Sequence, residues 1–533
     1  MPGCRNGRAA ARRPEATVDA EQAHGPTTHI VIVGGGTAGW LAALMLQDAG
    51  RRAGLALKLT VVESSAIPTI GVGEGTTAVF RQMLQHFGLD EFEFLRETEA
   101  TIKFGIRHQD WRRQGHRYDG PIDDPHLVVT ERGDTPQSFL DIYAVAAGEP
   151  VADAHLFGYL LDQHKSPYAR RPDGSLVPVG PFHHAFHFDQ ALAGRYLRKK
   201  SKGVDTLDAK VVGVRRHPQT GDIEALLTDA GTELAGDFFI DCTGFRRSLI
   251  GTEMGGRWVS YKDRLPVNRA MPFWLDLKPG EEIPPYTLAR ALNAGWLWAI
   301  PTQTRIGCGY VYSDSFHTPE SARAEIEATL GHAVEPRNDL RFDVGRLDRA
   351  WIGNCLALGL ASSFLEPLEA TSIHGTIVQL MVFTQFHLKT RTAADREAYN
   401  RFVARQVDDF RDFINLHYVS EREDTPFWRH VKADCIGAET RARLALWQTK
   451  MPEHADFTPL PGRAGSRFPH VEQQLHYPVL DGLGLLNRER AREHMAARPS
   501  LRRRASQAHE SLRTEYRHAA PQALGHREFL TSL

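Results

Sequence analysis

Residues 28–64 read THIVIVGGGTAGWLAALMLQDAGRRAGLALKLTVVES, and no other stretch constrains the fold as strongly. His29–Val33 is a short β-branched run that predicts a buried parallel strand. Gly34, Gly36 and Gly39 follow at G-x-G-x-x-G spacing, and Trp40, Leu41, Leu44 and Met45 then recur at helical spacing up to Gly50. A second apolar strand, residues 57–64, carries Glu63 near its end. This strand–turn–helix–strand order predicts a Rossmann-type unit that binds a dinucleotide. Glycines let the backbone approach a pyrophosphate at the helix start, where Thr37 and Ala38 stand, and Glu63 is placed to take a ribose hydroxyl. The alternative is a glycine-rich turn that binds nothing.

A chain of 533 residues is too long for one compact core, so more than one module is expected. Lys plus Arg number 64 and Asp plus Glu 65, a balance that argues against nucleic acid as a partner. The five cysteines (Cys4, Cys242, Cys308, Cys355, Cys435) have neither metal-type nor disulfide-framework spacing, so no metal centre is expected and a reducing, cytoplasmic setting is. No apolar run reaches membrane-spanning length. Residues 1–27 are rich in Arg and Ala, lack an apolar signal core and are expected to be a disordered tail.

Further along, ATIKFGIRHQDW alternates, which predicts one strand with Ile102, Phe104 and Ile106 on one face and Lys103, Gly105 and Arg107 on the other. DFFIDCTG (237–244) and NCLALGLASSF (354–364) read as two more buried strands, and three such widely separated strand ends suit a sheet whose carboxyl edge holds a large nucleotide. In AGWLWAIPTQT, Trp296 and Trp298 fall on one face of an extended segment, which Ile300 and Pro301 close. From about residue 376 the chain reads as mainly helical. The expected fold is therefore α/β: an FAD-type Rossmann module over residues 28–375 with inserted strands of the substrate side, and a mainly helical covering module over 376–533.

Seven motifs in order, VIVGGGTAGWLAA, ESSAIPTIGVGEGTT, HFD (187–189), DCTG, GWLWAIP, FLEPLEATSIHG and DTPFW (424–428), make the chain resemble the flavin-dependent halogenases related to tryptophan halogenase, from about residue 28 to 450. The resemblance implies that FADH2, oxygen and chloride or bromide form hypohalous acid, which travels to a lysine and halogenates an electron-rich aromatic ring. It implies FAD contacts from Gly73, Asp241 and Leu360 beside the glycine loop. Trp296, Trp298, Ile300, Pro301 and Phe364 would form the wall between flavin and substrate. Lys103, with Ile106, Arg107 and Trp111 behind it, matches the family's K-x-x-I-[KR]-x-x-x-W pattern and becomes the catalytic lysine. Glu369 becomes the second catalytic group, able to position the halogenating species or take the ring proton, with Glu366 as the alternative. Backbone amides at Thr371 and Ser372 would hold the halide.

Two departures stand out. Where the family often reads L-E-S-T-G, this chain reads Leu368, Glu369, Ala370, Thr371, Ser372. The segment GRAGSRFPHVEQQLHYPVLDGLGLL is shorter than the aromatic clamp of free-tryptophan halogenases, so another indole, a phenol or a larger scaffold is the expected substrate. A separate flavin reductase is the expected partner, since no reductase half is present, and a homodimer is compatible with the sequence. The competing readings are an FAD-dependent aromatic monooxygenase on the same scaffold and a non-catalytic flavin-binding protein.

Overall fold

The computed structural model describes residues 27–67, 73–122, 139–180, 184–453, 456, 471 and 473–533. The expected tail falls almost wholly outside them.

Thr28–Val33 is the centre of a six-stranded sheet. Its neighbours are Leu57–Glu63 on one side and Phe238–Asp241 on the other, both parallel to it. Asp205–Asp208 extends the sheet beyond Leu57–Glu63, and Cys355–Ala357 beyond Phe238–Asp241. Ile30, Val31 and Ile32 are fully buried, the pattern of a parallel strand covered on both faces. The helix Thr37–Ala53 crosses over to Leu57–Glu63 and ends at Gly54 with φ 65°, a left-handed stop. That places the helix end four residues beyond the Gly50 expected from periodicity.

A second sheet of seven strands runs in the order Leu340–Arg341, Arg269–Asp276, Arg305–Tyr312, Gly295–Pro301, Tyr286–Ala291, Gly105–Gln109, Arg117–Pro121. It is antiparallel except where Tyr286–Ala291 meets Gly105–Gln109. A small third sheet of Glu74–Gly75, Ala185–Phe188 and Thr101–Lys103 lies against strands of the seven-stranded one.

This arrangement corrects one expectation. Residues 101–109 are not a single strand. Thr101–Lys103 pairs with Ala185–Phe188, Phe104 leaves the ladder, and Gly105–Gln109 joins the seven-stranded sheet. The backbone N–H of Phe104 donates instead to the carbonyl of Pro285 at 2.8 Å. Alternation therefore does not sort the segment into a wet and a dry face: Ile102, Lys103, Phe104, Ile106 and His108 are all buried. The 354–364 strand is also shorter than read. It ends at Ala357 and gives way to the tight turn Gly359–Ala361, where Gly359 has φ 60°.

From Thr371 onward the described residues form helices only, the longest being Ala393–His417, capped by Thr392, whose hydroxyl accepts the Asp395 N–H. The helix Thr371–Val382 lies against both Thr37–Ala53 and Ala393–His417. The C-terminal helix His526–Thr531 returns to the small sheet, where His526 meets Ile102.

Candidate active site

The glycine turn after Thr28–Val33 is built for close approach. Gly34 has φ 117°, and a Cβ there would lie 2.3 Å from the carbonyl oxygen of Cys242. A Cβ on Gly39 would lie 1.9 Å from the Gly34 carbonyl oxygen, so the helix can seat on the turn only without a side chain there. Gly36 differs: nothing lies within 4 Å of its missing Cβ. It faces open space at the helix start, where Thr37 is buried and its hydroxyl has no partner among the described residues. The first turn of the helix carries no acidic residue and no side-chain cap. Free N–H groups, an orphan hydroxyl and an open glycine face fit the pyrophosphate of FAD. Glu63 stands against Gly35 at the tip of the neighbouring strand and pairs with Arg198 at 2.5 Å. The turn at Leu360 is pressed onto the same helix, since a Cβ on Gly359 would lie 2.9 Å from the Ala38 Cβ.

Asp241 ends the strand Phe238–Asp241. One carboxylate oxygen accepts the N–H and hydroxyl of Thr243, and the other the N–H groups of Leu249 and Ile250 at 2.8 Å. Through both oxygens it holds the loop after its strand.

Lys103 is 1 % exposed, and its Nζ donates to the carbonyl oxygen of Thr76 at 2.9 Å. Burial pulls its pKa down to about 8, against the opposing charge of Glu369. His187, in the adjoining strand, hydrogen-bonds through Nε2 to the Thr287 hydroxyl at 2.8 Å and lines the same corner. Glu369 ends a short turn, Pro367–Glu369, and Ala370 behind it has φ 53° and ψ 32°. A left-handed alanine costs about 1 kcal/mol, strain that turns the chain sharply from Glu369 into the next helix. The Nε2 atoms of His417 and His108 lie 2.9 and 3.5 Å from one Glu369 oxygen. Burial opposes its charge, but the two imidazoles prevail and hold the carboxyl down at about 2. His108 itself is pushed below the usual imidazole range by burial.

Thr371 and Ser372 open the helix Thr371–Val382, whose N-terminus has no side-chain cap. They line a small cavity together with Gly359, Ser363 and Gly375, which joins the helix start to the Leu360 turn of the flavin side. Trp296 and Trp298 do share one face of Gly295–Pro301 and are buried. The Trp296 indole N–H donates to Glu366 at 2.5 Å, and Trp298 covers Gly309. Ile300 lies against Gly73, 3.5 Å from where its Cβ would be, and the Pro301 carbonyl accepts the Thr101 hydroxyl at 2.7 Å. Phe364 lies edge-on to Phe245 and Phe342.

Sequence reasoning missed His108, His417 and Tyr418. His417 closes a helix of 25 residues, 48 positions beyond Glu369, and no local spacing links the two. The one available signal was His108 inside the lysine motif itself.

A Rossmann sheet with an open glycine turn and, on separate elements, a buried lysine and a carboxylate fits the class of flavin-dependent oxidoreductases. The tryptophan halogenase family profile matches residues 29–489. The tryptophan 6-halogenase SttH of Streptomyces toxytricini is 35 % identical over 466 residues, 81 % of this chain and 86 % of that protein. The 7-chloro-L-tryptophan 6-halogenase KtzR of Kutzneria is 34 % identical, covering 92 % of this chain and 99 % of that protein. Among solved structures, Xcc4156, a flavin-dependent halogenase from Xanthomonas campestris, superposes with a TM-score of 0.79 at 31 % identity, covering 95 % of this chain and 98 % of the other. The chain belongs to the tryptophan halogenase family. It is an FADH2-dependent halogenase, and none of its described helices is long and apolar enough to cross a membrane.

Proposed function

We propose that the protein halogenates an indole-type or other electron-rich aromatic ring with chloride or bromide, using Lys103 and Glu369 at the enclosed site. The supporting observation is their placement: a buried lysine that feels the charge of a largely buried carboxylate, on strands and turns separate from the glycine loop. FAD, held by the turn at Gly34–Gly39 and by Glu63 and Leu360, supplies in its reduced form with oxygen the oxidising power that converts halide to hypohalous acid. Thr371 and Ser372 offer unpaired helix N–H groups to the halide. Lys103 binds hypohalous acid by hydrogen bonding, or as the amine forms a haloamine; its lowered pKa keeps both forms within reach near neutral pH. Glu369, ionised, takes the proton from the ring carbon that has received halogen. Trp296 and Trp298 keep the ring apart from the flavin. A separate reductase supplies reduced FAD. Residues 28–375 carry both sites and residues 376–533 cover the substrate.

Relatives named as tryptophan halogenases favour an indole. Of the segment that departs from the free-tryptophan clamp, residues 462–486, residues 462–470 and 472 lie outside the described residues. The test is incubation with reduced FAD, oxygen and each halide in turn, offering tryptophan, indole and phenols, with products read by mass spectrometry. A halogenated arene is expected, with tryptophan inferior to a neutral arene. A hydroxylated product in the absence of halide, with no halogenated one in its presence, would replace this reading with a monooxygenase.

A further inference from the structure

Three side chains from three separate elements converge on one point. His108 comes from the strand Gly105–Gln109, His417 from the end of the helix Ala393–His417, and Glu369 from the turn Pro367–Glu369. Nε2 of His417 lies 2.9 Å and Nε2 of His108 3.5 Å from Oε1 of Glu369, and the donor atoms of the three residues lie within 4.8 Å of one another. Both imidazoles are buried, and neither Nε2 has a hydrogen-bond partner among the described residues. At 2.9 Å it is direction, not distance, that keeps His417 from bonding: its ring is not aimed along the N···O line.

The far nitrogen of His417 fixes its tautomer. Nδ1 lies 3.0 Å from the carbonyl oxygen of Phe413, which can only accept, so Nδ1 carries a proton and the neutral ring presents its lone pair at Nε2. A backbone carbonyl behind the far nitrogen is the common support of a metal-ligating histidine. His108 has no partner on either nitrogen among the described residues and is held by packing, stacked on Tyr118 at 4.6 Å with ring planes 8° apart. Two buried, unpartnered imidazole nitrogens beside one carboxylate oxygen are satisfied together by a single shared cation. The distances suit one. With bonds of about 2.1 Å, donors 2.9 Å apart subtend about 90° at an ion and donors 3.5 Å apart about 110°, both ordinary coordination angles. An ion so placed lies off the N···O line, in keeping with the direction of the His417 ring.

We propose that His108, His417 and Glu369 bind one divalent ion of the zinc type. Two imidazoles and one carboxylate select zinc over magnesium or calcium, which take oxygen donors. Both histidine side chains are closed off, whereas Glu369 keeps 15 % of its side-chain surface, so the ion enters past the carboxylate. The consequence for catalysis rests on the proposed function. A cation on Oε1 draws off the electron density that Glu369 offers to the ring proton, and its charge opposes an ammonium at Lys103. Occupation therefore inhibits halogenation. Reoxidation of the flavin is spared, since no residue of the glycine turn belongs to the site.

The experiment uses purified full-length protein freed of metal with a chelator. Zinc binding is measured by calorimetry and cobalt(II) binding by its visible ligand-field spectrum, in wild type, His108→Phe, His417→Gln, Glu369→Gln and His430→Gln. His430, beside Asp434 and Cys435 and partly exposed, is the control for surface binding. Wild type and His430→Gln should each take one equivalent of zinc per chain, and millimolar magnesium or calcium should not compete. Each of the other three variants should weaken binding by about 100-fold or more. In parallel, halogenation and flavin reoxidation are followed with chemically reduced FAD, with and without zinc. Zinc should suppress wild-type halogenation over the concentrations at which it binds and leave reoxidation unchanged. In His108→Phe, which keeps an aromatic ring on Tyr118, the rate with zinc should equal the rate without it, whatever the basal rate. That variant also stands in should His417→Gln fail to fold. No binding, undiminished binding in both histidine variants, or a site lost in His430→Gln (an adventitious ion only) would each overturn the proposal. Zinc held by these three residues without inhibition would leave the site standing and count against Glu369 as the base in the proposed function. A wild type that halogenates nothing would overturn the proposed function, and the titrations would still decide the site.

Discussion

The backbone N–H of Ile102 donates to Nε2 of His526 at 3.0 Å, across 424 positions of sequence. The Nδ1–H of the same ring donates to the carbonyl of Ile283 at 2.9 Å. The C-terminal helix thus fixes the strand residue next to Lys103, and only the neutral Nδ1–H tautomer of His526 can do so. Burial lowers this histidine to about 4, opposed by the bond to Ile283. In the unfolded chain it titrates near 6.5. The unfolded state therefore binds the extra proton between pH 6.5 and 4, and stability falls as pH drops through that window. His526→Ala should cost about 2 kcal/mol at pH 7 and reduce halogenation more than FAD affinity. Its loss of stability relative to wild type should shrink on going from pH 7 to 4.5. Thermal denaturation at both pH values checks this; a gap that stays constant would show that the ring does not titrate between folded and unfolded states.

Lys103 separates two reactions. Lys103→Ala should abolish product halogenation while FAD affinity and reoxidation by oxygen stay near wild type, because no flavin-binding residue touches the lysine. Lys103→Arg should not rescue it, since a guanidinium is larger and remains protonated. Burial also makes the ammonium a stability cost. The folded pKa of about 8 lies below the unfolded value near 10.5, so stability rises with pH between those limits. Lys103→Met should accordingly stabilise the protein at pH 7, by on the order of 1–3 kcal/mol, an advantage that fades above pH 10. Single-turnover halogenation beside flavin reoxidation tests the first part, and halogenation by Lys103→Ala at a tenth of the wild-type rate would return the residue to a structural role.

Gly36 and Gly39 should fail in different ways. With open space at the Gly36 Cβ, Gly36→Val should fold with a melting temperature within a few degrees of wild type and lose FAD, because the new side chain occupies the pyrophosphate's place. Gly39→Val drives a side chain into the Gly34 carbonyl and should yield little folded protein. Flavin absorbance on purified Gly36→Val checks the point; retention at wild-type stoichiometry would move FAD off this turn.

The contrast between these sites and the lysine corner shows what the sequence made legible. The Rossmann unit is local: strand, turn, helix and second strand are consecutive, so periodicity and glycine spacing place them to within a few residues. Trp296 and Trp298 were likewise legible, since alternation within one strand puts both on one face. Lys103 was found by motif, but its surroundings were not. Its burial depends on Thr76, His187 and His526, brought together by a small sheet and a C-terminal helix that share no local pattern. The break at Phe104 was invisible for the same reason. It depends on a hydrogen bond to Pro285, which is 181 positions away and lies outside the alternation of that segment. Asp241 was named by the resemblance alone, and the four hydrogen bonds by which it closes its own loop had no signal in the sequence.

Glu366 makes the last prediction. Its carboxyl is fully buried between Trp296 and Tyr418, whose N–H and O–H both donate to Oε2, while Oε1 has no partner among the described residues. Burial raises its pKa to about 7, only partly offset by those two donors, against about 4.5 in the unfolded chain. The folded state then holds the extra proton between pH 4.5 and 7, so the carboxyl destabilises the protein progressively as pH rises through that window. Glu366→Gln keeps one oxygen to accept both donors and cannot ionise. It should match wild type at pH 5 and exceed it by on the order of 1–3 kcal/mol at pH 8, a rise of several degrees in melting temperature. With Trp296 proposed as part of the wall between flavin and substrate, the variant should also leave halogenation near the wild-type level if the bond to the indole serves only to fix that ring. Melting curves of both proteins at pH 5 and 8 decide the electrostatic part: a stability difference that does not grow with pH would show that Glu366 stays ionised in the folded protein. A loss of halogenation in a well-folded Glu366→Gln would transfer the role of proton acceptor from Glu369 to Glu366, the alternative that the EPLE segment always contained.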